Sequence, residues 1–164
     1  MSKRLNLREF QQNLSNRIHA KNSTAGRIST LGVQIAGQHW LVEMTDISEV
    51  LPLPPLTHVP LSKPWLRGVA NVRGSLYCIA DMAGYLGMEA TVHDVANRIL
   101  LVAERHEFNA ALLVERVLGL RDATAWQQSG NAGQPEYRDE QGMLWRKLDV
   151  VGLLGQPEFL QIGV

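Results

Sequence analysis

Five of the chain's seven prolines, Pro52, Pro54, Pro55, Pro60 and Pro64, crowd into one short stretch. Neither a regular helix nor a central strand can run through it, because each proline fixes its own φ and has no amide to donate. The stretch therefore reads as a long, stiff connection, and the chain on either side has to fold as separate short elements. On the N-terminal side, Leu31, Val33 and Ile35 alternate with smaller or polar residues, Gly37-Gln38 breaks the run, and Trp40 to Met44 resumes it. That is the pattern of a β-hairpin. Ile47 to Leu51 adds another short strand before the prolines begin.

Beyond the prolines, Val69 to Val72 and Leu76 to Ala80 flank Arg73-Gly74-Ser75, where the glycine can supply the positive φ of a tight turn. A third hairpin is expected from Arg98 to Ala103 and Phe108 to Val114, with Glu104-Arg105-His106-Glu107 between them, and Val117 to Leu120 continues its sheet. Short strands at this rate, with hardly any helical periodicity between them, predict an all-β fold of small barrels rather than a parallel α/β sheet. Ser129 to Gly142 is polar and rich in Gly, Gln and Glu, and reads as a mobile loop. Asp81-Met82-Ala83-Gly84-Tyr85-Leu86-Gly87 is echoed by Asp149-Val150-Val151-Gly152-Leu153-Leu154-Gly155. In each copy the aspartate suits the N-cap of a short helical turn and the last glycine suits its stop.

Residues 1–27 form an appended arm, and 28–164 the domain proper. Leu7, Phe10, Leu14 and Ile18 fall at helical spacing among Lys3, Arg4, Arg8, Arg17, Lys21 and Arg27, opposed only by Glu9, and Asn22 to Gly26 reads as a linker. A helix packed on its own domain is the favoured reading over one that docks on an anionic membrane or a partner. Over the whole chain 16 basic residues balance 16 acidic ones, so no overall field gathers nucleic acid. The start has no apolar core of a secretion signal, and the longest apolar runs, such as Ile99 to Ala103, are too short to cross a bilayer. Direct membrane insertion is not expected. A single cysteine, Cys78, excludes an internal disulfide and suits a reducing, cytoplasmic setting.

Catalytic chemistry finds little footing. A nucleophile would have to be Cys78 activated by His19, His39, His58, His93 or His106, and none of these sits in a recognisable motif. Cys78 lies mid-strand, where a packed thiol is the simpler account. No histidine pair has i, i+4 ligand spacing around a glutamate, and no glycine-rich phosphate loop occurs, so neither metal nor cofactor is expected. Leu51 to Leu56 superficially resembles a polyproline ligand, but a proline-stiffened loop is the commoner meaning of such a run. Trp40, Trp65, Trp126 and Trp145 are not interleaved with basic residues, which favours core or interface packing over single-strand binding.

The segment Pro64-Trp65-Leu66-Arg67-Gly68-Val69-Ala70-Asn71-Val72-Arg73-Gly74, continuing to Asp81-Met82, resembles the G-V-x-N-x-R-G pattern of CheW-type adaptors. Ile47-Ser48-Glu49-Val50 followed by Pro55, Thr57, Val59 and Pro60 is similar to that family's upstream elements, and Val114 to Val117 and Leu148 to Leu154 to its later ones. The likeness is greatest to members serving type IV pilus twitching motility. It implies two intertwined, five-stranded, SH3-like barrel lobes without catalysis, bridging the cytoplasmic tip of a methyl-accepting receptor to the regulatory domain of a CheA-like histidine kinase at receptor arrays. It also places Ile47, Glu49, Asn71 and Arg73 in the region that engages those partners. Cys78 departs from the family's usual proline, and residues 126–147 depart from its pattern.

Strand alternation sets Val69, Asn71 and Arg73 on one face, from which Arg73 can offer a planar, two-pronged donor to a partner carboxylate. The alternative is an internal pair with Glu49 or Asp81. The competing functional class is a small-ligand-binding or enzymatic β-barrel that uses Cys78.

Overall fold

The computed structural model describes residues 30–106, 109–131 and 134–160, so the helix expected in the arm lies outside the described residues. The chain begins with the expected hairpin, β1 (Thr30–Ile35) against β2 (Gln38–Glu43), followed by β3 (Ile47–Pro52) and the proline-rich connection. Next come β4 (Leu66–Val72) and β5 (Ser75–Asp81), the short helix α1 (Met82–Tyr85), and the pair β6 (Arg98–Val102) and β7 (Ala110–Val114). After β8 (Arg116–Arg121) the chain forms β9 (Gln127–Asn131), β10 (Gln134–Arg138), β11 (Leu144–Leu148), α2 (Val150–Leu154) and α3 (Pro157–Leu160). No helix among the described residues is long and apolar enough to cross a membrane.

The strands form two sheets, one of five in the order β3-β6-β7-β5-β4 and one of six in the order β8-β1-β2-β11-β10-β9. The chain thus leaves the six-stranded sheet after β2, builds the whole of the other, and returns at β8. Val117 to Leu120 does not extend the sheet of the third hairpin as expected; β8 pairs with β1 instead. The crossing is held at Glu115, whose amide donates to the Gln34 carbonyl at 2.9 Å while its carboxylate accepts from the Gln34 side chain at 2.8 Å and the Gly37 amide at 3.1 Å. Ser129 to Gly142 is likewise no simple loop, since it supplies most of the β9–β10 hairpin. This hairpin lies at the end of its sheet and, among the described residues, gives none to either core cluster, so its strands can be polar.

Burial follows from this interleaving. One core cluster joins Leu31, Val33 and Ile35 of β1 to Leu100 and Val102 of β6 and Ala110, Leu112 and Val114 of β7, with Met82 of α1, Leu153 of α2 and Phe159 of α3 completing it. The other faces of the same central strands, through Ile99, Leu101, Ala111 and Leu113, fill the five-stranded lobe together with Ala70 and Ile79. Every residue of β7 is buried, which explains its unbroken apolar run. The repeated aspartate units are both real caps: Asp81 accepts from the Ala83 amide and Asp149 from the Gly152 amide. Only the first ends as expected, with Gly87 at φ 81°, while Gly155 stays at φ −88°.

Candidate functional site

The β4–β5 hairpin closes through a two-residue turn, Arg73-Gly74, with φ values of 52° and 85°. This is the mirror-image turn whose twist matches the flanking strands. Arg73 therefore belongs to the turn and not to the strand, and alternation along β4 does not set its direction. The alternation does hold before it: Ala70 and Val72 pack into the five-stranded lobe, while Val69 and Asn71 face outward. Asn71 fixes the turn by accepting the Gly74 amide at 2.9 Å.

From this rigid corner the Arg73 guanidinium reaches Glu49 on β3 with both prongs, Nη1 donating to Oε2 at 2.6 Å and Nη2 to Oε1. β3 and β4 are the two end strands of their sheet, so the pair spans the seam where that sheet's ends approach. The hydrogen bond from Arg73 holds the Glu49 carboxyl below its usual range, and the same contact raises the arginine further above its own. Both are charged at every physiological pH. The Arg73 side chain is still 70% exposed and that of Glu49 31%, so the ion pair is presented to solvent. The sequence left Glu49 and Asp81 open as internal partners, and Asp81 is excluded because it is engaged elsewhere. It is 1% exposed and accepts from Arg67 at 3.2 Å, from the Ala83 amide at 3.2 Å, and from the Thr91 amide and hydroxyl at 2.8 and 2.6 Å.

Of the four residues singled out in the sequence, Glu49, Asn71 and Arg73 are brought together, and Ile47 is not. Ile47 is 7% exposed and packs into the shared core; a register shift between it and Glu49 separates the buried start of β3 from its accessible middle. Sequence reasoning missed Leu76. It stands opposite Asn71 in the hairpin and is 62% exposed, an apolar side chain beside the charged pair. Nothing marked it out, since Leu76 to Ala80 reads as one apolar run.

Gly68 and Thr57, both part of the recognised pattern, are explained together. Thr57 exchanges two backbone hydrogen bonds of 2.9 Å with Val69, pinning the proline-rich connection along the free edge of β4. A Cβ on Gly68 would lie 2.5 Å from the Thr57 carbonyl oxygen, at a φ of 144°. Only glycine allows so close an approach.

Cys78 lies on β5 between Val69 of β4 and Ala110 of β7, on the strand face opposite Tyr77 and Ile79, which pack into the lobe. Burial pushes its thiol pKa up, the reverse of what an activated nucleophile needs. Two of the candidate bases are engaged elsewhere, His106 with Asp46 at 3.0 Å and His39 edge-on to Trp145. Among the described residues no group of three or more His, Cys, Asp or Glu could hold a metal ion.

Comparison with known proteins fits this geometry. Protein PilI of Pseudomonas aeruginosa is 38% identical over 93 residues, covering 57% of this chain and 52% of that protein. A probable chemotaxis protein CheW of Rhizobium etli is 28% identical over 104 residues, 63% of this chain and 66% of the relative. The matches thus span about half to two thirds of these relatives' lengths. The fold is similar to that of the scaffolding protein TtCheW from Thermoanaerobacter tengcongensis, with a TM-score of 0.62 at 15% identity over 75% of this chain and 89% of the other. The CheW-like domain pattern matches residues 29–158, most of the chain, and by that match the chain belongs to the CheW-like domain family.

Proposed function

We propose that the protein is a non-catalytic adaptor that couples the cytoplasmic tip of a methyl-accepting receptor to the regulatory domain of a CheA-like histidine kinase, in a pathway controlling type IV pilus twitching motility. The observation that carries this reading is the exposed Glu49–Arg73 pair, held rigidly by a tight turn and flanked by exposed Leu76. An apolar anchor ringed by fixed charges is how protein interfaces combine affinity with register. The likeness to PilI and to CheW proteins supports this choice of pathway. The competing reading, a ligand-binding or enzymatic barrel that uses Cys78, is disfavoured by the raised thiol pKa and by its place in mid-strand beside buried Ala110.

The test is calorimetric titration of the kinase regulatory domain and, separately, of a receptor-tip fragment. Arg73→Glu is expected to weaken one of them by on the order of tenfold or more, because it sets repulsion against a partner group chosen to meet an arginine. The reciprocal swap Glu49→Arg with Arg73→Glu restores the internal pair but reverses both charges, and is expected to bind as poorly as the single variant. Normal affinity in both variants removes this pair from the interface. A swap that recovers full binding would assign the pair a structural role only.

A further inference from the structure

The six-stranded lobe carries a second surface feature unconnected with the ion pair. Leu118, Leu120 and Arg121 of β8, together with Trp126, Met143 and Trp145, line a cleft of about 480 Å³. Leu120 is 54% exposed, and Met143 is also exposed, so the rim is apolar and open. Within the lining the Arg121 guanidinium lies over the Trp145 ring, 5.6 Å from its centroid. Along one side stand Asp139 and Glu140. Asp139 is firmly placed, accepting the amides of Gln141 and Met143 at 2.9 Å each and the Trp145 indole at 3.0 Å, and these bonds keep its carboxyl below the usual range.

We propose that this cleft is the docking site of the chain's own N-terminal segment, residues 7–18, seated through Leu7, Phe10, Leu14 and Ile18. Three observations single out that occupant. The first is the chain path: Thr30 is paired with Arg121, and its hydroxyl donates to the Arg121 carbonyl, so β1 begins beside the cleft wall. The eight residues from Asn22 to Ser29 can reach roughly 26 Å when extended, ample to bring the apolar stripe back over the rim. The second is charge: six basic residues against one acidic in residues 1–27 complement the acidic side formed by Asp139 and Glu140. The third is that the family match begins at residue 29, so the segment is an addition to the shared domain. Tethering gives it an effective concentration of about millimolar at the cleft, enough to fill a site of weak intrinsic affinity. Docked there, the arm covers the exposed apolar rim of the six-stranded lobe, and a partner for that rim has to displace it.

The experiment uses the full chain with Cys78→Ala and Asn16→Cys, carrying a nitroxide at position 16 on the side away from the apolar stripe. The indole N–H signals of Trp126 and Trp145 are expected to lose most of their intensity relative to the reduced label. Trp65, stacked on Phe159 in another aromatic cluster, is expected to keep its signal. Leu120→Glu, at an exposed position that tolerates charge, is expected to restore the lost intensity. No loss at Trp126 and Trp145, or equal loss at all four indoles, overturns the proposal. So does loss that appears on unlabelled molecules mixed with labelled ones, which would make the occupant a second copy. Label effects that arise only with phosphatidylglycerol vesicles would assign the arm to a membrane surface and overturn it equally.

Discussion

The two echoed aspartates offer a test in which one substitution is made at two sites with the same local role. Asp81 and Asp149 both cap a short helix, and asparagine caps about as well as aspartate. At the exposed Asp149 the side chain accepts the Gly152 amide at 3.0 Å, and Asp149→Asn keeps that bond, so a change within about 0.5 kcal/mol is expected. At Asp81 the same change cannot be absorbed. Its Oδ2 meets the Thr91 amide and the Arg67 guanidinium, neither of which can accept, so the asparagine oxygen has to take that side. The new NH2 group then faces the Thr91 hydroxyl, which can turn to accept it, and the Ala83 amide, which cannot. One buried amide loses its partner, at about 1–3 kcal/mol, and the bond from the partly exposed Arg67 loses its full charge assistance. Together these give about 2–3 kcal/mol, a fall in melting temperature of roughly 5–10 °C for a domain of this size. Thermal and urea unfolding of both variants measure it. Equal, small shifts at the two positions would refute the assignment of Asp81 as the buried hub joining β4, α1 and the Thr91 segment.

Gly68→Ala is expected to cost about 2 kcal/mol or more in urea unfolding, because its Cβ would push the Thr57 carbonyl off β4 and break both bridging hydrogen bonds; an unchanged midpoint would mean that this connection is not held there. Cys78 is expected to react slowly with a disulfide reagent near neutral pH and to speed up on unfolding, since burial favours its neutral thiol. A raised folded-state pKa means that this group's contribution to stability is intact below the ordinary thiol range and is lost as pH rises through the raised value. Fast labelling of the folded protein at neutral pH contradicts both statements.

What could be read from the sequence was local. The first two hairpins and the β6–β7 pair follow from period-two alternation interrupted by turn residues, and the prolines confine the irregular backbone between β3 and β4. The partnering of β8 with β1 could not be read, because Val117 and Leu120 look the same whichever sheet receives them; the choice is made by Glu115 meeting Gln34 and Gly37, far away in the chain. The β9–β10 hairpin was hidden for a related reason: an end strand needs no apolar face, so polar composition does not mark it as loop. At the candidate site, the pattern that marks Glu49, Asn71 and Arg73 is local, and the hairpin turn and β3 bring the three together. The burial of Ile47 depends on a register shift in β3, and the exposure of Leu76 near a hairpin tip leaves no trace in composition, so neither is legible in the sequence.

The interleaved chain path has a mechanical consequence. If each sheet had been built from one continuous stretch, the two lobes could hinge or unfold separately. Here β1 and β2 are separated from the rest of their sheet by the entire five-stranded sheet, and the shared core draws on β1, β6, β7 and the three helices together. Opening the seam between lobes would strip Leu31, Val33 and Ile35 from Leu112 and Val114, exposing side chains that are now almost wholly buried. At about 1.5–3 kcal/mol for each fully exposed residue, that cost exceeds what a marginally stable domain can spare. The lobes are therefore expected to move and melt as one body. The Glu49–Arg73 corner on one sheet and the cleft beside β8 on the other are then held at a fixed separation by the shared core.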